Sequence, residues 1–153
     1  MTRSEKIAII RDFVPRLRFL IAGLSDEVLI TPYDVGQWTI AQNIHHLADT
    51  HITTFLRFKT ILTEDNPTLP SIFGPEMAEL PDASDACVEY SLMILESMHA
   101  RWVNMMLHIT DWSRKGYYPR VDSQLSLDDL LDYYSEHCNM HYRQIEGVMA
   151  KMP

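Results

Sequence analysis

The chain has 153 residues, of which 46% are hydrophobic, and it carries a formal net charge of −8. This composition argues against disorder, and without a membrane-length apolar run or a disulfide framework we expect one cytoplasmic domain over residues 1–153. The acidic balance argues against nucleic acid and anionic membranes as main partners, because both recruit clustered lysine and arginine.

Apolar residues recur with a period near 3.6 along the chain, which predicts helices and no strands. The first long segment covers about 4–23 and contains Pro15, so we expect a kink or a restart of the helix there. A short helical turn is predicted to begin at residues 25–27. The stretch 31–36 has the composition of a loop.

Three further long helices and two connections are predicted. The helices cover about 39–63, 84–109 and 126 onward. The connections between them cover about 66–81 and 111–124. Thr39 and Ser126 are the expected N-caps of the helices that they precede. Four prolines fill the first connection, and Gly116 and Pro119 indicate that the second is a loop.

Four long amphipathic helices in one domain predict an all-α fold, a four-helix bundle. The connection between the second and third long helices is long enough to be a crossover loop.

His137 and His141 lie four residues apart on the inward-looking stripe of the fourth long helix. Residues at this spacing stack on one face of a helix, so both imidazoles can reach one point. A third histidine would complete a metal site that keeps one coordination position open. The candidates on the second and third helices are His45, His46, His51 and His99, and spacing does not choose among them. For each histidine taken alone, a hydrogen-bonded core or surface role is the simpler interpretation.

Several runs of the sequence resemble a known family. They are QWTI at 37–40, NIHHLADTH at 43–51, RFK at 57–59, LTEDNP at 62–67, LESMHARWV at 95–103, and Tyr134 followed by His137-x-x-x-His141. Together they resemble the DinB superfamily, and specifically its YfiT-like metal-dependent hydrolases. The match covers nearly the whole chain.

The resemblance implies a bundle of the DinB/YfiT-like type that binds a divalent metal ion through His46, His137 and His141. Zinc or nickel would suit three imidazoles and an open position. The implied function is that of a hydrolase that activates water, or of an S-transferase that activates a low-molecular-weight thiol, acting on a small-molecule substrate. A homodimer is compatible with the apolar flanks of such bundles.

This chain also departs from the family pattern. Glu136, Met140 and Gln144 stand where close relatives tend to carry tryptophan, histidine and histidine. Tyr118 replaces part of a frequent His-Pro pair, and Met77 replaces a usual tryptophan. None of these positions is an expected metal ligand, but they leave the substrate open.

Two residues are candidates for catalytic roles beside the metal. Asp49 is one turn from His46 and could orient an imidazole or act as a base, and Tyr134 could donate a hydrogen bond to a bound anion. A solvated acid and a core aromatic residue are the simpler interpretations of these two. Arg57 could attract an anionic substrate, although a solvent-exposed role is simpler. Cys138 is interpreted as a small core residue rather than a redox thiol or a further ligand.

The sequence thus supports two hypotheses of different classes. The first is a metal-dependent enzyme of the hydrolase or thiol-transferase type. The second is a non-catalytic helical bundle that binds a small ligand or a protein partner, and the histidines missing from the fourth helix motivate it.

Overall fold

Four long helices form the bundle in a computed structural model that describes residues 1–72 and 74–153. They are α1 (Arg3–Leu20), α3 (Ile40–Thr63), α5 (Glu89–Met106) and α6 (Leu127–Met149). The shorter elements are α2 (Asp26–Ile30), α4 (Gly74–Met77), and an antiparallel hairpin of β1 (Lys115–Tyr118) and β2 (Ser123–Ser126). Residue 73, within the predicted connection 66–81, lies outside the described residues.

The expected N-caps are confirmed for α3 and α6. The Thr39 hydroxyl accepts a hydrogen bond from the Gln42 backbone N–H (3.1 Å), and the Gln42 side chain accepts one from the Thr39 N–H (3.0 Å). Ser126 and Asp129 make the same reciprocal pair at α6. These boxes satisfy backbone donors that have no partner within the helix, which fixes where each helix begins.

Of the kink or restart expected at Pro15, the restart is wrong, because α1 runs continuously through this residue. Pro15 is exposed, whereas Phe13, Val14 and Leu17 are buried. Pro15 has no N–H to donate to the carbonyl four residues earlier. This carbonyl therefore lies on the solvent side of the helix, where water can bind it.

Parallel packing of α3 and α5 makes the connection between them a crossover. His45 meets Ser91 near the start of both helices, and Phe58 meets Trp102 near their ends. Because the two helices run in the same direction side by side, the chain must travel back along the bundle after α3. The predicted crossover loop is thus confirmed.

The crossover follows α3 backwards and covers one of its faces. Its contacts with α3 fall in reverse sequence order: Pro70 with Arg57, Gly74 with His46, and Ala78 with Gln42. A polar face of α3 is therefore enclosed by the crossover rather than exposed to bulk water.

Two predicted boundaries need correction. The third long helix begins at Glu89 rather than near 84, because Pro81–Ser84 forms a 3₁₀ turn and the Asp85 carboxylate then accepts from the Cys87 N–H (2.7 Å). The stretch 111–124, predicted as a loop, contains β1 and the first half of β2. Four-residue strands are too short to show alternation, and this hairpin is anchored by backbone bonds between Tyr117 and the crossover at 67–69.

The bundle core contains histidines as well as apolar side chains. Trp102 is fully buried between α3 and α5 and packs edge-on against Phe58, with ring centroids 5.2 Å apart. His51 and His99 lie in the same layer and are buried. Among the described residues, none of the helices combines the length and apolar character that a membrane span requires.

Alanine substitutions at two glycines should have opposite effects on the stability of the protein. A Cβ on Gly116 would come within 2.7 Å of Leu69 and 2.8 Å of the Pro67 carbonyl, whereas one on Gly147 meets nothing within 4 Å. Gly116→Ala should therefore lower the free energy of unfolding by about 1–3 kcal/mol through overpacking. Gly147→Ala, in the exposed part of α6, should raise it by roughly 0.5–1 kcal/mol. Urea denaturation measures both, and a stable Gly116→Ala would contradict the described contact between the hairpin and the crossover.

Candidate metal centre

Three buried histidines meet at one point between α3 and α6. His46 comes from α3, and His137 and His141 come from successive turns of α6. One ring nitrogen of each lies within 4.8 Å of the others, a grouping that could hold a metal ion. The antiparallel packing of α3 and α6 places the start of the first helix beside the second half of the other. This is why residues about 90 positions apart in the chain converge.

A chain of hydrogen bonds crosses the bundle and ends at His137. His99 Nδ1 faces the Ile10 carbonyl of α1 (2.9 Å), and His99 Nε2 faces His51 Nδ1 (2.8 Å). His51 Nε2 in turn faces His137 Nδ1 (3.1 Å). We call the set His99, His51 and His137, with its anchor at Ile10, the histidine relay.

The anchor determines where every proton of the relay sits. A carbonyl can only accept, so His99 must donate from Nδ1, and its neutral Nε2 must accept. His51 then donates from Nδ1 to His99 and accepts at Nε2. His137 consequently donates from Nδ1, which leaves the lone pair of its Nε2 pointing at the three-histidine point.

The other two histidines of the cluster have the same tautomer as His137. His141 Nδ1 lies 2.8 Å from the Asn43 side-chain oxygen, and the Asn43 amide nitrogen donates to the Thr39 carbonyl (2.9 Å), which fixes the orientation of the amide. His46 Nδ1 lies 3.3 Å from the Gly74 carbonyl. Both histidines therefore donate from Nδ1 and present the lone pair of Nε2.

These assignments give the donor set that suits a cation. His137 Nε2 and His141 Nε2 are 3.2 Å apart, and neither carries a proton to share under the tautomers just derived. Two lone pairs facing each other repel unless a cation lies between them. The residues therefore fit a divalent metal ion held by three neutral imidazoles.

The protein environment keeps these imidazoles neutral. Burial, together with the neighbouring His141 and His46, lowers the pKa of His137 to about 2. Burial and the nearby His46 likewise lower the pKa of His141 to about 3, and burial lowers that of His46. A neutral imidazole has the free lone pair that metal ligation needs.

A cavity of about 680 Å³ opens beside the three histidines. Its walls come from α3, α6, the crossover and the hairpin. Besides the three histidines, the lining includes Trp38, Thr50, Arg57, Ile72, Gly74, Tyr118, Arg120, Leu130, Tyr134, Met140 and Gln144. This volume is in the range of small-molecule sites, so the histidines have an accessible face.

Trp38 and Gly74 close the cluster on two sides. The Trp38 ring lies 4.6 Å from that of His46 and stacks on that of His141 at 6.0 Å, measured between centroids. A Cβ on Gly74 would lie 2.8 Å from His46 Cε1, so only glycine lets the crossover approach this ring closely. Both residues restrict how the imidazoles can rotate.

Of the two residues considered for catalysis, Tyr134 lies in the cavity and Asp49 does not. The Tyr134 ring is 5.3 Å from that of His137, and its hydroxyl accepts a hydrogen bond from Arg57 (3.2 Å). Burial raises the pKa of Tyr134. Asp49 is half-buried, and burial together with the Asp82 carboxylate raises its pKa. The structure thus brings Tyr134, and not Asp49, to the three histidines.

The remaining candidates for a third ligand are held elsewhere. His45 uses both ring nitrogens, on Ser91 Oγ (2.7 Å) and the Asp85 carbonyl (2.9 Å). His51 and His99 are relay members, so their simpler interpretation as hydrogen-bonded core histidines is confirmed. Cys138 is fully buried in the apolar core, as interpreted, and burial raises the pKa of its thiol.

Comparison with known proteins decides the family. The sequence profile of the DinB superfamily matches residues 13–145. The chain belongs to the DinB superfamily. A protein of Geobacillus thermodenitrificans (strain NG80-2) named "Putative metal-dependent hydrolase" is 41% identical over 150 residues, covering 97% of this chain and 84% of that protein. YfiT of Bacillus subtilis (strain 168), also named as such a hydrolase, is 31% identical over 152 residues, covering 98% and 85%.

The fold agrees with this membership. The solved structure of YfiT from Bacillus subtilis superimposes with a TM-score of 0.92 at 30% identity, over 98% of this chain and 87% of that chain. Its description is "a probable metal-dependent hydrolase with an unusual four-helix bundle topology". The resemblance to the DinB superfamily and the predicted bundle are therefore confirmed.

Four of the five positions that depart from the DinB family pattern divide into two groups. Met140, Gln144 and Tyr118 line the cavity, so they shape what it accepts. Glu136 is exposed on α6 and pairs with Arg143, away from the histidines.

Sequence reasoning missed the residues that support the histidines. The relay depends on contacts between α1, α5 and α3, and no local pattern indicates them. Asn43 offered a signal, because it lies one turn before His46 on the same helical face. Arg57 was interpreted as solvent-exposed, and this is wrong: only 3% of its surface is exposed, because the crossover covers it.

Removing the middle of the relay should destabilise the protein. His51→Leu leaves His99 Nε2 and His137 Nδ1 buried without their partner, so the free energy of unfolding should fall by about 1–3 kcal/mol. Urea denaturation in the presence of a chelator measures this loss without any contribution from metal binding. His108→Leu is the control, because His108 is exposed and should change stability by less than about 0.5 kcal/mol. Equal stability of the two variants would contradict the relay.

Proposed function

We propose that His46, His137 and His141 bind one divalent metal ion, zinc or nickel, and that the protein is a metal-dependent enzyme that activates water or a small thiol. The observation that carries this proposal is the convergence of three histidine ring nitrogens, within 4.8 Å of one another, at the wall of a small-molecule cavity. The names of the relatives, which describe metal-dependent hydrolases, support it.

The side chains around the proposed site have separate roles. A divalent ion held by three imidazoles is a Lewis acid that lowers the pKa of a water or thiol at its open position toward neutrality. The relay and Asn43 keep the donor lone pairs in place, so no proton has to leave a ring nitrogen before binding. Tyr134 and Arg57 can donate hydrogen bonds to the substrate, and apolar walls such as Ile72 and Leu130 exclude bulk water. Asp49 is left out of this proposal because it does not line the cavity.

Metal content tests the ligand assignment. Protein purified without an affinity tag should contain about one zinc or nickel ion per chain. His46→Ala or His141→Ala should lower the metal affinity by at least tenfold, because two imidazoles bind such ions more weakly than three. Elemental analysis and competition with a chromogenic chelator measure the two quantities.

His45→Ala is the matched control for this experiment. This variant removes the histidine adjacent to His46. The ring of His45 is hydrogen-bonded through one nitrogen to α5 and through the other to the segment before α5, so it is not a candidate ligand. Metal affinity should remain unchanged in this variant. Sub-stoichiometric metal that does not respond to His46→Ala or His141→Ala would remove the basis for the proposal.

Paired assays separate the two candidate chemistries. Protein loaded with zinc or nickel should either hydrolyse an activated ester such as p-nitrophenyl acetate or conjugate a small thiol to 1-chloro-2,4-dinitrobenzene. The active reaction should disappear with a chelator and in His141→Ala. Tight metal binding without turnover of either substrate type would instead favour the second hypothesis, a non-catalytic bundle that binds a small ligand or a protein.

A further inference from the structure

Arg57 is a buried cation in the wall of the cavity. Only 3% of its surface is exposed, and it projects from α3 beneath the crossover. No carboxylate lies within salt-bridge distance of it in the part of the chain that the structure describes. Burying an arginine without an anion is unfavourable, because the charge loses its hydration and gains no opposite charge in return.

The hydrogen bonds of Arg57 go to neutral oxygens and are mostly long. Nε donates to the Pro70 carbonyl at 2.8 Å, Nη1 to the hydroxyls of Thr54 (3.4 Å) and Tyr134 (3.2 Å), and Nη2 to the Tyr118 hydroxyl (3.3 Å). The three bonds to hydroxyl groups are longer, and therefore weaker, than a typical hydrogen bond of about 2.9 Å. Neutral acceptors hold the guanidinium in place without neutralising its charge. Within the described residues, one N–H of Nη2 has no acceptor.

Two tyrosines contact the guanidinium at the cavity wall. The Tyr118 ring lies 4.6 Å from the carbon of the Arg57 guanidinium, a cation–π contact that fixes its plane. Tyr118, Tyr134 and Arg57 all line the cavity. A fixed, planar fork of N–H donors is the geometry that binds a carboxylate or phosphate through two parallel hydrogen bonds.

The charges that line the cavity also favour an anion. Arg57 and Arg120 contribute two positive charges. Asp129 is the one carboxylate among the described lining residues, and its oxygen accepts from the Ser126 backbone and hydroxyl. It is thus engaged in the cap of α6.

Tyr134 connects this cationic group to the histidines. Its ring packs on His137 with centroids 5.3 Å apart, and its hydroxyl bonds to Arg57. One tyrosine side chain therefore separates the guanidinium from the three-histidine point. A molecule small enough for a cavity of about 680 Å³ can reach both.

We propose that Arg57, with Tyr118 and Tyr134, forms a subsite for an anionic group, a carboxylate or a phosphate, and that the substrate is a small organic anion. Its reacting group would lie at the three histidines and its charged end at Arg57. The assignment of this subsite to the substrate rests on the proposed function, whereas anion binding by Arg57 does not.

Anion binding to chelator-treated, metal-free protein tests the subsite independently of the metal. The probes are glutarate and inorganic phosphate, and dimethyl glutarate is the uncharged control. The indole N–H of Trp38, which lines the cavity, and the Nε–H of Arg57 report binding by nuclear magnetic resonance. At least one anion should shift both signals saturably at millimolar concentration, and dimethyl glutarate should not.

Variants assign the binding to Arg57. Arg57→Gln should weaken the binding of the anion by about tenfold or more, since the positive charge and its charge-assisted hydrogen bond to the anion are lost. Arg57→Lys should weaken it less, because it keeps the charge but not the fork. Arg114→Gln is the matched control: Arg114 also donates to backbone carbonyls but does not line the cavity, so binding should be unchanged. Circular dichroism checks that each variant folds.

The outcomes are decisive in both directions. Saturable binding of glutarate identifies a carboxylate subsite, and binding of phosphate alone identifies a phosphate subsite; both support the proposal. Equal affinity in Arg57→Gln, equal binding of dimethyl glutarate, or no shift with either anion would overturn it. A protein that binds the anion but no metal would contradict the proposed function and leave the anion site standing.

Discussion

A single backbone carbonyl controls the protonation of a histidine that lies on the other side of the bundle. The Ile10 carbonyl of α1 can only accept, and this forces the same tautomer on His99, His51 and His137 in turn. The lone pair at the end of the relay points where His46 and His141 also aim theirs. The cluster is therefore a product of the whole bundle, because three of its four long helices contribute to the relay and the fourth, α6, ends it.

The crossover serves the same site from the outside. By running back along α3, it supplies the carbonyl that orients His46 and the carbonyl that holds Arg57. A polar face that would be solvated on an isolated helix therefore becomes a cavity wall, whose side chains are held in place by hydrogen bonds to the crossover. The histidines proposed to bind a metal ion and the arginine proposed to bind an anion are thus two parts of one enclosed surface.

Much of this arrangement could be predicted from the sequence, and the rest depends on contacts that the sequence does not reveal. Helix periodicity and N-caps gave four helices, and the i, i+4 spacing paired His137 with His141. Spacing left the third histidine open, and only the family resemblance selected His46. The relay could not be predicted because its members, such as His99 and Ile10, are distant in the chain. Arg57 was misjudged because helical periodicity does not show what a later segment will cover.

The tautomers of the buried histidines test this account most directly. Nitrogen-15 resonances of the imidazoles in metal-free protein should show the proton on Nδ1 in His46, His137 and His141. His45 provides the opposite reference, because its Nε2 donates to the Asp85 carbonyl. Added zinc should shift Nε2 of the three cluster histidines and leave the tautomer of His51 unchanged. A proton on Nε2 of His137 or His141, or zinc that leaves these signals unmoved, would contradict the account.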